Sequence, residues 1–185
     1  MTSIQLWPAE GVEEAVIEVI TNVLSTAFRL PVVRRGPLDE PDEDFDAGRG
    51  QYSSTAILRR LIDPPPEDNG RRLGITTRDI FIPMLSYVFG QAQLGGCAAL
   101  VSLARLRQEF YHLPANPGLL LQRAAKEAIH EMGHTFGLTH CLDRGCAMSL
   151  STGIEQVDEK KAEFCLSCQT LLQESMVEGG IHGER

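Results

Sequence analysis

The stretch from residue 130 to residue 168 constrains this chain more than any other. His130-Glu131-Met132-Gly133-His134 leads into Gly137, His140, Cys141, Cys146 and Met148, and Cys165 and Cys168 close the run. Three of the five histidines fall within eleven residues, and four of the five cysteines follow them. Neutral imidazoles and thiolates at these spacings are cation ligands. A chain that concentrates them this way needs a fold that gathers them into centres.

His130 and His134 stand four apart, about one helical turn, so both imidazoles project from one helix face and can share a metal. Glu131, one position beyond the first histidine, sets its carboxylate beside the metal's open position, where it suits a general base. Gly137 has no Cβ and can turn left-handed, which ends the helix and returns His140 as a third ligand. Three neutral imidazoles leave a zinc ion at +2 with a fourth position for water, whose pKa falls to about 7. Surface histidines on an amphipathic helix are the bland alternative. It does not account for three within eleven residues.

Cys141-x4-Cys146 and Cys165-x2-Cys168 form two pairs separated by 18 residues. Four thiolates complete a tetrahedral zinc and leave no position for water, so this second ion is expected to be structural. The expectation is therefore two zinc ions per chain, one catalytic and one structural. A redox dithiol at Cys165-x2-Cys168 and plain buried cysteines are the alternatives. Because His140 and Cys141 are neighbours, the two sites share backbone. Cys97 lies in an apolar run and is expected in the core.

Before this stretch the periodicity predicts strand Ile4–Trp7, helix Gly11–Phe28, edge strand Leu30–Arg34 and helix Ser53–Ile62, the last stopped by Asp63-Pro64. Arg72–Thr76, Tyr87–Leu94 and Cys97–Leu103 read as strands, the last two joined as a hairpin through Gly95-Gly96. Asn116 caps a helix that runs to Gly137, and Asp158–Met176 reads as one helix carrying Cys165 and Cys168 on one face. Residues 36–50, rich in Asp and Glu, are expected to be a mobile surface loop, with attraction of basic substrates as the alternative. His112 is expected to be structural, or else pocket lining, and His182 to lie in a frayed tail.

A net charge of −8 argues against a nucleic-acid partner, which would need a basic face. No segment reaches the ~20 apolar residues of a membrane helix. The first ten residues carry no basic or long apolar region, so a cytoplasmic protein with reduced cysteines is expected. With 43% apolar residues, the 185-residue chain is expected to be one domain, 1–185. Its parts are an N-terminal one, 1–137, and a zinc-clamped C-terminal one, 138–185. Oligomeric state is not written in the sequence.

H-E-x-x-H-x-x-G-x-x-H is the metzincin signature. The continuation through Cys141, Cys146, Met148, Cys165 and Cys168 resembles the archaemetzincin family. So do Leu73-Gly74-Ile75-Thr76-Thr77-Arg78-Asp79, Phe89-Gly90-Gln91-Ala92 and Val101-Ser102-Leu103-Ala104-Arg105-Leu106. The resemblance covers about residues 70 to 172. It implies that His130, His134 and His140 bind catalytic zinc, that Glu131 is the base, and that Met148 forms an apolar floor beneath the histidines. Some metzincins place a tyrosine two residues after this methionine; here Leu150 stands there, so no fifth ligand is expected. The fold expected is α/β (α+β) and metzincin-like, a twisted mixed sheet with a long active-site helix. The function expected is zinc-dependent hydrolysis of peptide bonds by zinc-bound water that Glu131 activates. The substrate would be a peptide or protein, held along an edge strand at Tyr87–Leu94 or the Gly95-Gly96 turn; the alternative is that these are an ordinary sheet strand and turn. The alternatives are a zinc-bound peptide- or protein-binding module with little turnover, and a zinc hydrolase of non-peptide amides.

Overall fold

The computed structural model describes residues 2–66 and 69–181, so His182 lies outside the described residues. Five strands form the main sheet: β1 (Ile4–Pro8), β2 (Val32–Arg34), β5 (Arg71–Thr76), β7 (Gly90–Ala92) and β8 (Ala98–Ser102), in the order β2-β1-β5-β8-β7. The first four in that order run parallel, and β7 pairs antiparallel with β8 at the edge. The mixed sheet, the β2 edge and the Gly95-Gly96 hairpin are as the sequence predicts. Gly95 has φ +64°, a conformation that its missing Cβ permits.

Helices cover both faces of the sheet. Side chains alternate along β8: Ala99 and Val101 join the core under α1 (Glu14–Phe28) and α3 (Pro117–Thr135), while Ala98 and Leu100 face α2 (Ser54–Ile62). In α1 the buried residues Val16, Ile17, Ile20, Leu24 and Phe28 make one stripe. Phe28 stacks on Phe136 at 5.0 Å and meets the edge of Phe164 at 5.6 Å, contacts worth about 0.5–1.5 kcal/mol each beyond their burial. These rings tie α1 to the end of α3 and to the C-terminal part. The helix begins at Glu14 rather than Gly11, which takes φ +86° in the preceding turn.

Three expectations are corrected. The Asp158–Met176 segment is not one helix: α4 (Ile154–Glu159) and α5 (Leu166–Ile181) are separated by a turn. Two burials force the break. Lys160 Nζ is drawn into the core to Glu127, 2.6 Å away, and Phe164 is buried against Phe28. Residues 36–50 are not simply a solvated loop, because Arg60 holds Asp39, Glu43 and the buried Asp44. That segment also leads into a small second sheet the periodicity did not reveal: β3 (Phe45–Asp46), β4 (Gln51–Ser53) and β6 (Ile80–Phe81). Of Tyr87–Leu94, only Gly90–Ala92 is regular strand.

Candidate active site and metal centres

Helix α3 carries the site. Asn116 Oδ1 accepts from Leu119 N–H at 3.0 Å and Pro117 opens the first turn, so the helix starts where the sequence places it. Ala124, Ala128, Ile129 and Met132 are fully buried along its core stripe. Phe136 N–H and Gly137 N–H close the last turn, and Gly137, at φ +85°, turns the chain toward His140.

His130, His134 and His140 come together, with one ligand nitrogen of each within 4.8 Å of the others. His130 Nδ1 lies 2.8 Å from the Ala147 carbonyl, and His134 Nδ1 lies 2.7 Å from the Leu138 carbonyl. A carbonyl oxygen can only accept, so each Nδ1 carries the proton and donates. Both Nε2 atoms are then lone-pair donors, and they stand 3.1 Å apart. Two lone pairs aimed together at that distance suit a shared cation. Burial holds His130 well below the usual imidazole range and lowers His134 and His140 as well, with the Lys160 ammonium adding to the effect on all three. Neutral imidazole is the ligand form.

Glu131 is buried beside this triad. Burial pushes its carboxyl well above the usual carboxylate range, the Glu127 carboxylate adds to the rise, and Lys160 opposes it. A Cβ on Gly90 would lie 2.5–2.6 Å from Glu131 Cγ, Cδ and Oε1. Only glycine lets strand β7 lie directly on the Glu131 carboxyl. Gly133 plays the same part below: a Cβ there would lie 2.5 Å from the sulfur of the fully buried Met148. Gly133 occupies a variable position of the signature, and Gly90 is 41 residues away from Glu131, so sequence spacing pointed to neither. Glu127 and Lys160 carry no sequence signal either, since each reads alone as an ordinary surface charge.

A cleft of about 510 Å³ opens over Glu131 and the three histidines. One wall is the segment 85–92 leading into β7; the other includes Leu150, Ser151 and Thr152. Leu150 is half exposed at the rim. His112 lies elsewhere, exposed at the end of a short 3-10 turn with φ 59°. Cys97 packs at the margin of the α2-side core, apart from the other cysteines.

Cys141, Cys146, Cys165 and Cys168 gather with all sulfurs within 4.8 Å, and Cys141 Sγ and Cys165 Sγ are 3.8 Å apart. Cys165 precedes α5 and Cys168 lies in its first turn, so the break before α5 shapes this cluster. Burial pushes the Cys146 and Cys168 thiols up, strongly for Cys168, while a hydrogen bond from the Cys168 backbone N–H lowers Cys165. Four thiolates here need a dication to be tolerated. Cys146 Sγ also accepts from Met148 N–H and Cys165 N–H, each at 3.4 Å. The two centres are joined by more than the His140–Cys141 bond. In Cys146-Ala147-Met148, the first residue gives its sulfur to one centre, the second holds His130, and the third lies under Gly133.

The model of Peptidase family M54 matches residues 12–174. The chain is 48% identical over 137 residues to the archaemetzincin of Methanocaldococcus jannaschii, 74% of each chain. The crystal structure of the archaemetzincin of Methanopyrus kandleri matches with TM-score 0.84 at 36% identity over 95% of both chains. That of a zinc-dependent peptidase from Methanocorpusculum labreanum gives 0.81 at 29% identity, over 92% of this chain and 100% of that one. Fold and site together define a zinc-dependent metallopeptidase with a mixed α/β fold. The chain belongs to the archaemetzincins, Peptidase family M54.

Proposed function

We propose that His130, His134 and His140 hold a catalytic zinc through Nε2, that Glu131 is the general base, and that Cys141, Cys146, Cys165 and Cys168 hold a structural zinc, two ions per chain. The observation that carries this is the fixed pair of Nδ1 donors, which leaves His130 and His134 Nε2 converging beside Glu131 in an open cleft. Zinc bound there supplies a Lewis acid for the peptide carbonyl and for water, and a positive field that favours the ionised form of Glu131. The chain's own groups do the rest. An extended peptide pairs with the outer edge of β7, the last strand of the sheet, which fixes its backbone along the cleft. The Glu131 carboxylate takes a proton from the attacking water and passes it to the departing amine. Gly90 keeps β7 close enough for one carboxylate to serve both moments.

We take the chain as one metalloprotease domain, 1–185, divided into parts 1–137 and 138–185 about the Gly137 turn. Five unpaired cysteines support a cytoplasmic setting, and recovery of the protein outside the cytosol on cell fractionation would overturn it. A binding module with little turnover is not favoured for a member of a peptidase family.

The test is metal content by mass spectrometry together with cleavage of a diverse peptide library, with Glu131→Ala and chelated protein as controls. Two zinc ions per chain, and cuts that vanish in both controls, are the expected result. Cuts that persist in Glu131→Ala would remove Glu131 from the mechanism.

A further inference from the structure

The two walls of the cleft are tied together by a hydrogen bond. Tyr87, on the wall leading into β7, donates its hydroxyl to the carbonyl of Thr152, on the opposite wall, at 2.9 Å. Both ends of this bridge are held in advance. The Arg105 guanidinium lies 4.0 Å over the Tyr87 ring and Phe89 meets it edge-on at 5.5 Å. Arg105 is itself fixed by a two-bond pair with Asp79, at 2.7 and 2.8 Å. On the other wall, Thr152 N–H and Oγ–H both donate to Gln156 Oε1, which fixes the turn that carries the Thr152 carbonyl.

The bridge crosses three residues before Gly90, and Gly90 lies on Glu131. Residues 87–89 lie outside regular strand, so the extended spacing of about 3.3 Å per residue is an upper limit, and a peptide lying along this wall has room for at most roughly three residues between Glu131 and the bridge. Direction follows from strand chemistry. Antiparallel pairing is the more stable, and an antiparallel partner of Gly90–Ala92 runs its C-terminal side toward Tyr87.

We propose that Tyr87 is a specificity-determining residue whose bridge to Thr152 closes the cleft on the C-terminal side of the scissile bond, so that the preferred substrates are peptides with only about three residues beyond that bond. This rests on the peptidase reading and deepens it: the enzyme trims short C-terminal pieces, and longer chains must break the bridge to enter. The cost of breaking one hydrogen bond of ordinary strength sets the size of the effect, about three- to tenfold.

The experiment uses a ladder of peptides with one scissile sequence, lengthened stepwise on either side. Cleavage by the zinc-loaded protein is followed by mass spectrometry. Beyond about three C-terminal residues, kcat/KM should fall about three- to tenfold, mainly through KM, while N-terminal extension has no comparable effect. The ratio of long to short substrates should rise toward one in Tyr87→Phe. It should rise likewise in Gln156→Ala, which loosens the bridge from the other wall. Indifference of the unmodified protein to C-terminal length, or an unchanged ratio in both variants, overturns the proposal. Binding of the same labelled ladder to Glu131→Gln, read by fluorescence anisotropy, separates the two ideas. Length-dependent binding without any cleavage by the unmodified protein would sink the peptidase reading and leave the bridge standing. Cleavage without length dependence would sink the bridge alone.

Discussion

The histidine and cysteine centres are neighbours on one chain segment, yet their surroundings differ in kind. The histidines open onto a cleft, with His140 exposed and a carboxyl held ready at one side. The cysteines are enclosed by a turn and the start of α5, with Cys146 and Cys168 buried and backbone N–H groups aimed at Cys146 sulfur. An incomplete, neutral ligand set leaves room for substrate; a complete anionic one leaves none. On the reading proposed above, chemistry belongs to the first and cohesion to the second. Loss of one ligand should therefore act on activity in one case and on the fold in the other.

His134→Ala makes the largest difference. Removing even an outer partner of a metal ligand costs about 10–100-fold in affinity or activity, so loss of the ligand itself should lower kcat/KM by more than about 100-fold. With the histidine centre chelated in both proteins, the thermal midpoint should fall only slightly, through the lost bond from His134 Nδ1 to the Leu138 carbonyl, since the cysteine centre is untouched. A midpoint that collapses with activity would erase the contrast between the two centres.

Cys168→Ser should do the reverse first. The binding energy of an enclosed metal is folding energy, so unfolding should become easier by ~3 kcal/mol or more, read by denaturant titration. Activity should then follow through Cys146-Ala147-Met148. As the Ala147 carbonyl loosens, His130 loses its orienting partner, and zinc affinity at the histidines should weaken about 10-fold or more. Full occupancy of the histidine centre in this variant would show the two to be independent.

Gly133→Ala tests the shared floor. The added methyl meets Met148 sulfur in a packed interior, and overpacking of this kind costs about 1–3 kcal/mol. Displacement of Met148 also pulls on Cys146 and Ala147. Both centres should lose metal affinity together in competitive chelation, whereas loss from one alone would deny them a common floor.

How far the sequence alone shows these features differs across the chain for a physical reason. All seven metal-ligand candidates and Glu131 sit within 39 residues, and helical geometry alone converts the 130/134 spacing into a shared face. Gly137 needs only its own backbone freedom to end the helix. The break between α4 and α5 depends on Lys160 finding Glu127 and on Phe164 finding Phe28, partners distant in sequence that no local pattern shows. Two-residue strands such as β3 and β6 carry no periodicity and exist through pairing alone. Gly90 acquires its role only when the sheet edge is laid across α3.

The smallest effect concerns the stability cost of readying Glu131 for chemistry. Its carboxyl titrates higher in the folded chain than in the unfolded one, so across the window between the two values the folded chain binds more protons. Stability then falls as pH rises through that window, and below the unfolded value near pH 4.5 nothing is lost. Glu131→Gln lacks this group. With the histidine centre chelated and the cysteine centre filled, the variant should match the unmodified protein near pH 4 and be the more stable toward neutrality. His130 works in the opposite sense: its folded value is depressed, so both proteins lose stability as pH falls below about 6.5, and that loss cancels in the comparison. Restoring zinc should narrow the gap, because a dication favours the ionised carboxyl. A gap that is constant with pH would assign it to packing, and no gap at all would mean that Glu131 is not held at a cost. The cysteine centre supplies the contrast: its ligands stabilise the fold once filled, whereas the histidine centre keeps beside it a carboxyl that the fold would hold more comfortably uncharged.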